Sequence, residues 1–225
     1  MARKKQKQKK RKSATASAKR ASPARFYRDI GSKGWNKSNY FTYSSSSPAF
    51  RRWLAAELGD KPRDILSIGC GNGELEIYLI ALGHRLTGLD PAHPMLKRAA
   101  RSGLTRPVEA DARFLPFAPA SFDVVIFPES IGHVPLPEVF AEAKRVLKKR
   151  GALIVTTYAS HVGVHAHYRK YRFADMTPAA EEAGFTVAAQ RYLAAKRNSI
   201  DDAPSDAKAT LLYFKAVVPA AKARR

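Results

Sequence analysis

Apolar residues fall in short runs along most of this chain, and the stretches between them repeat apolar positions at helical spacing. The runs at 64–68, 85–89, 106–109, 122–127 and 152–157 predict strands. The intervening stretches at 74–82, 94–102 and 136–148 predict helices. In the first of these, Leu75, Leu79 and Leu82 are expected on one buried side. The last should end in a cationic turn, Lys148, Lys149 and Arg150, closed by Gly151. Upstream, residues 48–58 predict a short helix with Phe50, Trp53, Leu54 and Leu58 on one face. Downstream, a helix is expected at 177–183, with strands at 185–193 and 210–218. Residues 197–208 are polar, contain Pro204 and read as a surface loop. Alternation of this kind implies a mostly parallel sheet covered on both faces, an α/β fold.

Composition changes the picture at the ends. Residues 1–25 read as a disordered basic tail, because they hold almost no large apolar group to offset the entropy of ordering. Residues 26–58, aromatic in their first part, read as a lid and helical segment; residues 59–219 form the main domain, and 220–225 a frayed end. The net charge is +21, and residues 1–28 contribute 12 Lys/Arg with no acid. Such a run suits contact with RNA or another polyanion, here through residues 3–28, a nuclear-type or nucleolar-type address, or solubility. Its Lys-rich, face-less pattern argues against a mitochondrial presequence. No apolar run reaches the ~18 residues of a membrane span, and the N-terminus has no apolar signal core. Cys70 is the one cysteine, so no intrachain disulfide forms. A cytoplasmic location is the expectation, with a nuclear or nucleolar one as the alternative in a eukaryote.

Candidate chemistry centres on Asp64-Ile-Leu-Ser-Ile-Gly-Cys-Gly-Asn-Gly-Glu74, a strand ending in Gly69, Gly71 and Gly73 and followed at once by a helix. Such a turn lets a ligand approach the backbone and the helix N-terminus. A dinucleotide turn, Gly-x-Gly-x-x-Gly, would need glycine where Glu74 stands. The spacing Gly-x-Gly-x-Gly instead resembles the first motif of class I S-adenosylmethionine-dependent methyltransferases. Three further segments carry the resemblance: His84-Arg-Leu-Thr-Gly-Leu-Asp90; Glu109-Ala-Asp-Ala-Arg-Phe-Leu-Pro-Phe-Ala-Pro-Ala-Ser-Phe-Asp-Val-Val125; and Glu142-Ala-Lys-Arg-Val-Leu-Lys-Lys-Arg-Gly151. Together they span about residues 60–158 and resemble the type 11 methyltransferases. The resemblance implies a Rossmann-like, seven-stranded, mostly parallel sheet with its last strand antiparallel. It implies S-adenosylmethionine as cofactor, approached by Gly69, Cys70, Gly71 and Gly73. Asp90, followed by Pro91, would take the ribose, Asp111 the adenine amino group, and the Ala112 N–H the ring; Pro128 would line the site. In the family an acid two positions before the first glycine contacts the cofactor's amino group; here that position is Ser67, whose hydroxyl is left to hydrogen-bond.

After the fourth strand, Phe127-Pro-Glu-Ser-Ile-Gly-His-Val134 corresponds to the family's methyl-acceptor wall. Glu129 and His133, four apart, would share a helical face, and both are catalytic candidates. The ordinary pKa of an imidazole suits it to taking an acceptor's proton; packing against the pocket is the other reading of His133. His165 and His167 lack a third ligand nearby, so no metal is expected. Residues 26–47 and 158–175 would form a lid. The function implied is methyl transfer by direct displacement to a small-molecule acceptor. Two alternatives stand: an RNA methyltransferase tethered by its tail, and a non-catalytic nucleic-acid-binding protein of the same fold. The sequence leaves the oligomeric state open.

Overall fold

The computed structural model describes residues 47–159, 168–195, 199–205 and 208–220. Expectations for residues 1–46, for His165 and His167, and for the last residues of the chain lie outside them. The described elements are α1 (Pro48–Leu58), β1 (Asp64–Ile68), α2 (Glu74–Ala81), β2 (Arg85–Leu89), α3 (His93–Arg101), β3 (Pro107–Val108) and β4 (Phe122–Pro128). There follow a 3₁₀ turn (Ile131–His133), α4 (Leu136–Val146), β5 (Leu147–Tyr158), α5 (Phe173–Glu182), β6 (Thr186–Ala195), β7 (Ile200–Asp202) and β8 (Leu211–Val217).

The strands form one eight-stranded sheet in the order β3-β2-β1-β4-β5-β8-β6-β7. Pairing is parallel from β3 to β5 and antiparallel beyond, with β8 inserted between β5 and β6. The fold is the Rossmann-like one expected, with one strand more than seven. The addition is β7, which pairs antiparallel with the end of β6 inside the stretch read as a loop. Three residues at a sheet edge need no apolar alternation, so Ile-Asp-Asp gave no periodic signal.

Alternation along the central strands splits the core between the two faces. Leu66, Ile68, Val125, Phe127, Leu153 and Val155 point to one, where Val139, Phe140 and Ala143 of α4 and Met176 of α5 cover them. Ile65, Val124, Ile126 and Ile154 point to the other, beneath Phe50 and Leu54 of α1, Leu75 and Leu79 of α2 and Leu96 of α3. α1 is thus fixed to the sheet. Its Trp53 ring meets Tyr213 edge-on at 5.1 Å, and the Arg191 guanidinium lies over both rings while pairing with Glu57.

Three local expectations are corrected. Leu82 is 48% exposed just past α2, and Glu76 is buried with Leu75 and Leu79 in its place. Lys148, Lys149, Arg150 and Gly151 are not a helical turn: α4 stops at Val146 and the chain is already extended at Leu147. They form a bulge in β5, with Arg150 left-handed at φ 62°, and the register with β4 shifts there. The Lys148 ammonium holds the bulge, donating to Asp64 at 2.9 Å and Asp123 at 3.0 Å. Finally, α5 begins four residues early, at Phe173, because Asp175 accepts from the Arg172 N–H at 2.8 Å and nucleates the first turn ahead of Pro178.

Candidate functional site

From β1 the chain continues to β2 on one side, while β4 lies on the other. A crevice opens at such a switch point, outside the carboxyl ends of the strands. The β1–α2 turn, Asp90 after β2 and Glu129 after β4 all follow carboxyl ends that border it.

The three glycines do not share one cause. Gly69 is left-handed at φ 78°, and a Cβ there would overlap Ser130, whose hydroxyl donates to the Ile68 carbonyl. Gly73, at φ 79°, would place a Cβ 2.9 Å from the Ala99 Cβ on α3. Gly71, at φ 55°, meets only the Met95 Cε at 3.5 Å. Two of the three glycines therefore serve close packing of the chain on itself. Gly71 alone is left with its outer side open.

Asp90 is tied into this turn. Its Oδ2 accepts from the Gly71 N–H at 3.0 Å and its Oδ1 from the Ala92 N–H at 2.8 Å. Burial pushes its pKa up to about 6, against the opposing pull of those two N–H groups. A carboxylate has about four lone-pair positions, so two remain for a pair of hydroxyls. Pro91 beside it is exposed. Asp111 stands otherwise: both its oxygens are held by Arg113, at 2.6 to 3.1 Å, and this guanidinium lowers its pKa. Ala112 beside it is buried, and Pro128 closes β4. The Cys70 thiol is buried beside Gly88, and burial together with the Glu76 and Asp90 charges pushes its pKa well up, so it is no nucleophile. Ser67 is fully buried and donates to Glu76 Oε1 at 2.5 Å.

Across the crevice, Glu129 is left-handed at φ 59° and its N–H donates to the Thr156 carbonyl at 2.9 Å. A non-glycine residue in that region costs about 1 kcal/mol and persists only where its surroundings hold it. Here the Tyr158 hydroxyl donates to Glu129 Oε2 at 2.7 Å. His133 ends the 3₁₀ turn, so the shared helical face expected for Glu129 and His133 is not formed. The His133 ring instead meets Tyr168 edge-on at 4.9 Å, and Tyr168 meets Tyr158 at 5.7 Å and Thr157 Oγ1 at 2.8 Å. The Arg169 N–H seals this side by donating to the Gly132 carbonyl at 2.7 Å. Sequence reasoning missed Ser130, Tyr158 and Glu76. Only Glu76 carried a readable signal: it shares with Leu75 and Leu79 the side of α2 that turns inward.

The geometry fits an adenosyl cofactor: an open glycine turn, a buried carboxylate with acceptor capacity at the end of β2, and a polar aromatic wall beyond β4. Comparison with known proteins agrees. The family described as Methyltransferase domain matches residues 66–155. A ubiquinone biosynthesis O-methyltransferase of Bordetella bronchiseptica is 29% identical over 133 residues, 56% of this chain and 55% of that protein. A phosphatidylethanolamine N-methyltransferase of Cereibacter sphaeroides is 33% identical over 127 residues, 52% of this chain and 62% of that one. The chain thus spans about half the length of the curated relatives it matches. Among solved structures, a Burkholderia thailandensis 1,6-didemethyltoxoflavin-N1-methyltransferase with bound S-adenosylhomocysteine superposes with a TM-score of 0.59 over 78% of each chain, at 23% identity. Residues 66–155 thus carry the match to a methyltransferase domain, and the fold is the Rossmann-like one of S-adenosylmethionine-dependent methyltransferases.

Proposed function

We propose that this protein transfers the methyl group of S-adenosylmethionine to a small-molecule acceptor by direct displacement. The observation that carries the reading is Asp90: its two backbone N–H partners fix it against the open Gly71 turn, and two acceptor positions remain. The cofactor supplies a methyl already activated on a sulfonium, so the protein's work is alignment and exclusion of water. Gly69, Cys70, Gly71 and Gly73 shape the turn that receives it, with Ser67 beneath. Asp90, flanked by Pro91, accepts the ribose hydroxyls. Ala112 and Pro128 border the adenine side. Asp111 serves that side once its pairing with Arg113 is exchanged for the adenine amino group. Glu129, held by Tyr158, and His133, held against Tyr168, wall the acceptor, and the His133 imidazole is the group of that wall suited to taking the acceptor's proton. Relatives named for O-methylation and for N-methylation both match, which supports a small acceptor and leaves its nucleophilic atom open.

Calorimetry with S-adenosylmethionine is the first test. Asp90→Ala removes a charged acceptor of two hydroxyls and should weaken binding about a hundredfold. No binding by the wild type at millimolar ligand, or equal binding by the variant, sinks the reading. Tritiated methyl transfer into fractionated extract then identifies the acceptor, with label expected among small metabolites. Label in RNA instead favours the tethered reading, which the concentration of basic residues in 3–28 motivates.

A further inference from the structure

Glu76 is a buried acid that the reading above does not use. It stands in the first turn of α2, 1% exposed, among the apolar side chains that α2 packs against β1. One oxygen, Oε1, accepts from the Ser67 hydroxyl, and the other has no hydrogen-bond partner among the described residues. A carboxyl group left half satisfied inside a core is destabilising. Nothing in the packing requires it, since the neighbouring buried positions on α2 are leucines.

Its surroundings place it under the cofactor turn. The groups facing it are Ser67 from β1, Cys70 from the turn, Asp90 from the end of β2 and Glu74 from its own helix. Arg51 of α1 donates to the Glu74 carbonyl at 3.4 Å. Among the described residues, the charged groups acting on Glu76 are the acids Asp90 and Glu74. Burial accordingly pushes its pKa up to about 7, with the like charges of Asp90 and Glu74 adding to the shift.

S-adenosylmethionine and S-adenosylhomocysteine both carry an ammonium on their amino-acid arm. That is the cation which this pocket of negative potential lacks. We propose that Glu76, clamped by Ser67, is the positioning residue for the cofactor's amino arm, supplying from α2 the negative charge that an uncharged Ser67 cannot supply from β1. Both side chains are covered, so Glu76 acts through the Ser67 hydroxyl and the turn above it. Arrival of the ammonium favours the ionised carboxylate, which releases its proton to solvent. The inference rests on the methyltransferase reading.

Two ligands isolate the arm. S-adenosylhomocysteine carries it, and methylthioadenosine has the same adenosine without it. Calorimetry of the wild type near pH 7, in buffers of different ionisation enthalpy, should show proton release with the first ligand and not the second. Any contribution from Asp90 is common to both ligands, since both carry the ribose. Glu76→Gln should lose that release and bind S-adenosylhomocysteine about tenfold more weakly, with methylthioadenosine affinity within about twofold. Ser67→Asp in the Glu76→Gln background should restore affinity for S-adenosylhomocysteine. Equal proton release with the two ligands, or equal weakening of both by Glu76→Gln, overturns the proposal and makes Glu76 merely structural. A wild type that binds neither ligand overturns the methyltransferase reading itself, and the two failures are thereby distinct. Should Glu76→Gln not fold, the wild-type comparison decides alone.

Discussion

At the scale of single residues, the two acids beside the glycine turn, Glu76 and Asp90, are buried, and burial raises the pKa of each. Glu76 makes this measurable in the free protein. It keeps its proton up to about pH 7 in the folded chain and loses it near 4.5 when unfolded. Between those values the native state binds more protons, so this group's contribution to stability falls as pH rises and levels off above 7. Glu76→Gln removes the titration. Relative to wild type, the variant should therefore gain stability on going from pH 4.5 to pH 8, by an amount on the order of 3 kcal/mol. Urea denaturation at the two pH values measures it, and a constant difference between the proteins would contradict a buried, weakly compensated carboxyl. Asp90 shifts in the same direction in both proteins and cancels from the comparison.

At the scale of elements, the wall proposed for the acceptor rests on one close approach. A Cβ at Gly132 would stand 2.5 Å from the Arg169 carbonyl oxygen and from the Tyr168 ring. Gly132→Ala should push residues 168–171 off the 3₁₀ turn and cost about 1–3 kcal/mol of stability. It should raise the KM for the acceptor at least several-fold and leave S-adenosylhomocysteine affinity unchanged, because the glycine turn after β1 is built from other side chains and backbone groups. Steady-state kinetics beside calorimetry separate the two effects, and a parallel fall in both would show that the wall and the cofactor turn are one unit. The same elements show what sequence reasoning reads and what it does not. β1 and β2 were legible to the residue, because a strand run closed by glycine or aspartate is a local signal. Asp90 came with them. The β5 bulge was not legible: its cause is Lys148 reaching acids on β1 and β4, and no periodicity in the run Lys-Lys-Arg-Gly reports that. Glu129 and His133 were misread as helix neighbours for a similar reason. Thr156 and Tyr158, far along the chain, impose the left-handed turn that separates them. The Ser67–Glu76 pair joins two elements across the glycine turn, and neither residue alone announces the other.

At the scale of the whole molecule, charge is distributed in two different ways. In the described part, acids and bases find one another: Arg85 and Lys148 on Asp64, Arg113 on Asp111, Arg145 on Glu142 and Arg191 on Glu57. The exposed pairs among them, such as Arg113 on Asp111, add little stability, but all neutralise the field locally. The excess of the net +21 is concentrated in residues 1–28, with 12 bases and no acid. Counterion release lets such a run bind a polyanion with a strength that falls steeply with salt. Replacing the eight Lys/Arg of residues 3–12 by Gln, in the full chain, should flatten the salt dependence of single-stranded RNA binding. The slope should drop by up to roughly 0.7 log units per log unit of salt for each phosphate that the tail no longer neutralises. Fluorescence anisotropy across a salt series gives both slopes. S-adenosylhomocysteine affinity should not move, since screening limits any field from the tail to about 10 Å at ordinary ionic strength. If the salt slope is unchanged, or no RNA is bound, the tail is no tether. If cofactor affinity falls together with RNA affinity, the tail and the site are coupled, and the basic run takes part in the chemistry and does more than tether.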